Sequence, residues 1–362
     1  MFKTFFILVT TMCISNTLIS QNLTAFSDVN NRLYKFDNGV FSQIYYLEVK
    51  ELHIGNTYIA YVDNKGDIIV NYNGEDNMIA QTHTSITPSD NLLLVQTATV
   101  LRVFDKGKPH ILTSSAKSYA MNDSLVLWHD QIGNYLKYYY NNEVHELMMV
   151  VGDYQVDQQK VGANTFVFVD NIGTYQGFWR GQFYELFSSN FPSACVAGQD
   201  IIAFNDPNTR TFAVFDAGEL LDVEDQQVSN IRVGNGFAYY LDASGTHKVY
   251  HKGEIQELSF ADITNVNVRD SMIFFNDIGI HKVWYNDQVY QIFNNRVEDY
   301  QIDGGIIAYR NNMGGVSALV RGKELLIEES RVESYRLNGN CILLQYGPSS
   351  FGVWWRGKVY RF

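Results

Sequence analysis

Proline and cysteine are scarce in this chain: five prolines and three cysteines occur in 362 residues. Two cysteines outside the N-terminal apolar stretch, Cys195 and Cys341, are too few for a disulfide scaffold, and a chain of this length can bury a large core without one. They read as two buried thiols. Basic residues are also few. Lys and Arg total 27 against 39 Asp and Glu, a formal net charge of −12. Nucleic acid and anionic membrane surfaces need basic patches, so both are excluded as partners. No Ser/Gly linker or low-complexity tract breaks the chain, and no segment beyond the N-terminus has convincing helical periodicity.

Signatures of chemistry are missing too. There is no His-Glu-x-x-His, Gly-x-Ser-x-Gly or phosphate-cradling Gly loop. Asp63-Asn64-Lys65-Gly66-Asp67 comes nearest to a calcium loop, and its Lys spoils it. The eight histidines are scattered singly. His247 and His251 share a face of one run, and His281 falls at the position of His247 in the next repeat. A metal site needs three convergent ligands. The expectation is therefore no catalytic residue, no metal and no cofactor, in a non-enzymatic protein.

One long apolar run exists, Phe5 to Ile14, within MFKTFFILVTTMCISNTLIS. With Lys3 before it and a polar, small-residue end, it reads as a secretory signal over residues 1–20. It is too short to span a bilayer. Cleavage after Ser20 leaves Gln21 as the new N-terminus and, with Lys3 gone, a net charge of −13. Cys13 lacks the small-residue neighbourhood of a lipoprotein site.

What the chain has in abundance is one turn. It recurs ten times: Asp37-Asn38-Gly39, Asn73-Gly74, Lys106-Gly107, Asn141-Asn142, Arg180-Gly181, Ala217-Gly218, Lys252-Gly253, Asn286-Asp287, Arg321-Gly322 and Arg356-Gly357. Steps of 33 to 39 residues separate them, so one small unit is copied along the chain. Residues 22–39, NLTAFSDVNNRLYKFDNG, and 200–218, DIIAFNDPNTRTFAVFDAG, show the pattern. An apolar run leads through an Asp/Asn/Gly turn to an aromatic and β-branched run. The recurring turn then leads to a third run. Such runs are strands joined by hairpins. Alternating segments between copies, such as Val228–Val233 and Val332–Leu337, supply a fourth strand. The first copy lacks one of its own.

Four short antiparallel strands per repeat make a β-propeller blade. The expectation is an all-β propeller of about ten four-stranded units over residues 21–362. A single ring is favoured over two five-bladed rings split near residue 196, over fewer true blades, and over a solenoid, which needs caps that are not seen. An outer-membrane barrel needs longer strands. Tyr and Phe are expected to fill the space between blades. The adjacent Trp354 and Trp355 face opposite sides of their strand, so one is expected to be more exposed. Asp28, Asp63, Asp130, Asp170, Asp206, Asp242 and Asp277 follow the first run of their copies and are expected to cap their own hairpins.

The leader ends Ile19-Ser20 before Gln21-Asn22. The rest is rich in Asn, Tyr and Phe, poor in Pro, and punctuated by Asp-x-x-Gly hairpins. In this whole-chain character it resembles exported propellers of bacteria that use type IX secretion. It is similar in size and type to the plug subunits that close the periplasmic mouth of the type IX translocon channel. Secreted substrates of that system carry a C-terminal sorting domain. Here the last repeat runs to Phe362, so the resemblance implies retention in the periplasm and an outer-membrane β-barrel translocon as protein partner. It transfers no residue roles. The general expectation is a rigid, non-catalytic interaction subunit of an envelope complex, not membrane-spanning. Its candidate partner face is formed by the recurring turns, where Arg180, Lys252, Arg321 and Arg356 are equivalent. The alternative is a glycan- or peptide-binding or hydrolysing propeller, in which carboxylates from three or more blades converge on a central pocket.

Overall fold

The computed structural model describes residues 22–189, 192–259, 263–292 and 299–362. The signal segment 1–20 and Gln21 lie outside them. All but one of the regular elements are strands. They assemble into ten separate antiparallel sheets, eight of four strands and two of three, each a meander in which neighbours in sequence are neighbours in the sheet. In chain order the blades span residues 23–45, 51–80, 85–113, 116–149, 165–188, 195–224, 229–259, 263–291, 300–328 and 334–361, and are numbered 1 to 10 here.

The recurring turn builds the blade. At all ten copies both central residues have positive φ, for example 48° and 92° at Arg180-Gly181 and 47° and 106° at Ala217-Gly218. A two-residue turn with this backbone matches the twist of the strands it joins, which is why Gly, Asn and Asp dominate it. It joins the third strand of each blade to the outer one.

Ten apolar clusters hold the blades together, and each is shared by two neighbours. Leu94, Val103, Val126 and Trp128 join blade 3 to blade 4. Ile201, Phe212, Ala238 and Tyr240 join blade 6 to blade 7. The clusters include one between the last blade and the first, where Cys341, Val353 and Trp355 pack against Phe26 and Phe36. Ten blades with ten such interfaces form one closed ring, as the repeat count favoured. Among the described residues no strand is shared across the closure. It rests on side chains: Trp355 donates from its indole N–H to Asn22 at 2.8 Å, and Phe362 packs edge-on against Phe26.

Aromatics fill the space between blades, as expected. Phe166 stacks on Phe178, ring centres 4.6 Å apart, and both meet Tyr138 of the preceding blade. The expected asymmetry of Trp354 and Trp355 is not found. They do face opposite ways, but their exposures are 6% and 8%. Each face of a blade is covered by a neighbouring blade, so neither side is solvent. Trp354 enters the cluster with blade 9 and Trp355 the one with blade 1.

Blade 5 corrects the expectation of a fourth strand from every segment between copies. The chain before it forms a short 3₁₀ turn, Gln158–Lys160. A single antiparallel bridge, Val161 to Phe166, takes the inner position. Among the described residues blade 1 has three strands and no inner one, as the sequence indicates.

Candidate functional site: two faces and an acidic axis

A meander sends its turns alternately to two ends. The hairpins joining inner to second strand, near the axis, and the recurring turns, near the rim, therefore share one face of the disc. The hairpins joining second to third strand share the other face with the connections between blades.

On the first face the inner hairpins bond to one another around the axis. Asn56 N donates to Asp90 O at 2.6 Å, and Asp90 N to the Asp123 carboxylate at 3.1 Å. Asn164 and Asp200 exchange two bonds. Asn235 N donates to Asp270 O at 2.7 Å, Gly304 N to the Asp270 carboxylate at 3.3 Å, and Gly339 N to the Asp303 carboxylate at 2.6 Å. Thr24 Oγ1 donates to the Asn338 side chain at 3.1 Å, linking blade 1 to blade 10. Between blades 5 and 8 the backbones touch. A Cβ at Gly198 would lie 2.5 Å from Gly234 O, and one at Gly234 would lie 2.5 Å from Asp270 O.

This girdle brings together four carboxylates that sequence reading missed: Asp90, Asp123, Asp270 and Asp303, from blades 3, 4, 8 and 9. Blades 3 and 8 are opposite in a ring of ten, yet Asp90 and Asp270 feel one another's charge. Burial pushes the Asp90 carboxyl up to about 7, and repulsion from Asp123, Asp303 and Asp270 adds to it. Burial likewise raises Asp270 to about 6, with Asp303 and Asp123 adding and the Arg269 guanidinium opposing. Asp123 is also raised, chiefly by burial. The girdle is thus acidic, and its Asp90 and Asp270 carboxyls keep their protons to higher pH than ordinary carboxylates do. The signal that could have found it is an Asp just before the second strand in each of these copies. The seven Asp of the other turn masked it.

Those seven behave mostly as expected. Asp63 Oδ1 accepts from the backbone N–H of Lys65, Gly66 and Asp67, all at 2.9 Å. Asp28, Asp130, Asp170, Asp206 and Asp242 cap in the same manner. Asp277 is the exception. It takes Ser259 and Lys282 while Asn276 caps the turn. They are distributed one to a blade, so they form no cluster.

Arg180, Lys252, Arg321 and Arg356 occupy equivalent exposed places at the rim of the first face. Arg180 pairs with Asp200 at 3.0 Å and lies over Trp179. Arg356 lies over Trp355. Lys252 borders a cavity of about 290 Å³ with His251 and Trp284. The histidines are dispersed: His247 bonds Tyr239, His251 pairs with Asp287, and His281 stacks on Phe274. Among the described residues no three His, Cys, Asp or Glu are placed to share a metal ion. No helix among them is long and apolar enough to cross a membrane. Cys195 and Cys341 are buried free thiols, both pushed up to about 12 by burial.

The second face differs in character. The tips of its hairpins carry Val29, Ile132, Ile172, Ile278 and Met313, and its connections carry Tyr46, Leu47, Met149 and Val151, all exposed. Ile172 is 84% exposed and Ile278 79%. In blades 4 and 5 the Asn171 side chain ties the tip bearing Ile172 to the connection bearing Met149 and Val151, so these apolar residues form one patch. Other exposed apolar residues, Val144, Phe183, Leu220, Ile255 and Val289, are spread one per blade along the outer strands of blades 4 to 8. Sequence reading missed this face. The signal was available: the hairpin tips read Asp-x-Ile-Gly in blades 4 and 5, where a solvated turn has no use for Ile.

The fold defines the class, an all-β closed propeller of ten blades. The chain belongs to the 10-bladed beta propeller domain family, whose model matches residues 17–360. No curated protein matches it. Among solved structures it is similar to the computationally designed Ika8 protein, at 15% identity over 93% of this chain and 94% of that one, with a TM-score of 0.32. It is also similar to the tricorn protease, at 9% identity over 92% of this chain and 45% of that one, TM-score 0.33. PorZ, an essential bacterial surface component of the type-IX secretion system of Porphyromonas gingivalis, matches at 10% identity over 95% of this chain and 60% of that one, TM-score 0.26.

Proposed function

We propose that this propeller is an exported, non-catalytic interaction subunit of an envelope complex, held in the periplasm after removal of residues 1–20. It lays one face of its disc against a protein partner. The observation that carries the reading is the segregation of its faces. One is lined at the axis by carboxylates and at the rim by charged turns. The other presents Ile, Val and Met at the tips of five hairpins. Exposed apolar side chains gathered on one side mark an interaction surface, and hairpins fixed in a ring hold it rigid at little entropic cost. We assign docking to this second face, opposite Arg180, Lys252, Arg321 and Arg356. A wide stiff disc suits the mouth of an outer-membrane β-barrel, and the type IX translocon channel is the partner the chain's overall character favours.

The test is recovery of the protein from envelope extracts with its partners. Native protein is expected to co-purify with a β-barrel, and Ile172→Asp with Ile278→Asp to lose it while keeping the native melting temperature. Retention of the barrel by that double variant, or purification of native protein alone, would overturn the reading.

One observation favours the second reading, a ligand-binding propeller. Carboxylates from four blades lie within reach of one another's charge, and burial raises Asp90 to about 7 and Asp270 to about 6. A glycan or metal that raises the melting temperature of native protein but not of Asp90→Asn/Asp270→Asn would establish it.

A further inference from the structure

Among the described residues the inner edge of blade 1 carries no partner strand. Its strand Leu23–Ser27 pairs with Leu33–Asp37 on one side and, among the described residues, with no strand on the other. Every other inner position is filled, eight by a strand and that of blade 5 by the bridge at Val161. Beside this edge lies a groove of about 360 Å³. Its floor is Phe26 and Ser27, and its walls are Leu52 of blade 2 and Arg336 and Leu343 of blade 10. An unpaired edge with apolar walls is a template for another strand.

Elsewhere the inner elements reach across to one another. Gln301 of blade 9 bonds both Tyr335 O and Leu337 N of the next inner strand. Gln158 bonds Met121 N and O. Arg232 of blade 7 reaches Val266 O on the inner strand of blade 8. Arg336 is the matching side chain of blade 10, and among the described residues it meets no inner strand of blade 1. It reaches past the gap to Ala25 O on the open edge. Among the described residues its Nε, a buried atom, has no partner and no carboxylate pairs with it. A guanidinium with a buried, unused N–H calls for a carboxylate.

The geometry points to a strand-acceptor groove. The open edge of blade 1 takes an extended peptide segment of a partner protein as its missing inner strand, antiparallel to Leu23–Ser27. Apolar side chains of that segment meet Phe26, Leu52 and Leu343, and an acidic one meets Arg336. This rests on the reading above, in which residues 1–20 are removed.

The test uses protein made at full coding length and purified from the periplasm, with its N-terminus read by mass spectrometry. The probes are fluorescein-labelled peptides TIDITV and TIKITV, followed by anisotropy. TIDITV is expected to bind and to slow amide exchange at Ala25 and Ser27, with TIKITV at least tenfold weaker. Arg336→Gln should weaken TIDITV about tenfold. Ser27→Pro, which removes an N–H from the open edge alone, should abolish binding with the melting temperature unchanged. Equal binding of both peptides, no binding, or binding indifferent to both variants would overturn the inference. So would a mature chain that retains residues 16–20 and shows Ala25 already protected. A barrel partner lost by the Ile172/Ile278 variant but kept by Ser27→Pro would leave the docking face standing and sink the groove.

Discussion

Single residues set how tightly the ring closes at its axis. Gly198 sits where the backbone of the next blade leaves no room for a side chain. Gly198→Ala must push two inner hairpins apart, and overpacking of this kind costs about 1–3 kcal/mol. A lowered urea midpoint checks this. At the rim the strain runs the other way. Ala217 holds φ of 47° in a turn that elsewhere uses Asn or a charged residue, and a left-handed Ala carries a penalty of about 1 kcal/mol. Ala217→Asn should raise the urea midpoint. The axial carboxyls predict a pH dependence. Their native pKa values are raised above the unfolded ones, so the native state keeps protons that the unfolded chain has lost. Their stabilising contribution is full below the unfolded carboxylate range. It is lost as pH rises through about 6 and 7, the values of Asp270 and Asp90. Melting temperature should therefore fall between pH 5 and pH 8, by an amount that Asp90→Asn/Asp270→Asn reduces. A profile unchanged by that variant would refute the coupling. The beat of the repeat, its turn chemistry and the hairpin-capping Asp were legible in the sequence because each depends on neighbours a few residues away. The axial acids were not, because they meet only when blades far apart in the chain become opposite in space.

Each blade is a marginal sheet made stable by its neighbours. Both faces are covered, so its apolar residues fall on both sides of the strands, as in Tyr58–Val62, which is buried throughout. That is why the sequence predicts strands well and the exposure of Trp354 and Trp355 badly. Alternation tells which side a residue faces, but not that both sides are interior. The two three-stranded blades should be the least protected elements. In blade 1 the inner edge has no partner strand among the described residues. In blade 5 the inner position depends on one bridge and on Gln158 and Tyr154. Hydrogen exchange should show Leu23–Ser27 opening before the second strand of blade 7, Phe237–Leu241, which is paired on both edges. Equal protection of the two strands would contradict this.

At the scale of the molecule, the described residues close the ring without a shared strand, and the side chains packed between blades 10 and 1 bear that closure. Phe26, Phe36, Phe351, Trp355 and Phe362 crowd there. Removing a buried aromatic costs about 3–5 kcal/mol. Trp355→Ala also removes the bond to Asn22. It should therefore destabilise the whole ring and expose both terminal blades to proteolysis. The same closure makes the disc rigid and presents its two unlike faces. The central claim is that the apolar face, bearing Ile172 and Ile278, meets the partner. A photo-crosslinking amino acid placed singly at 172, 278, 180 or 321 in cells tests it most directly. The account predicts crosslinks from 172 and 278 to an outer-membrane β-barrel, and none from 180 or 321. Crosslinks from the basic rim alone, or from no position, would contradict it.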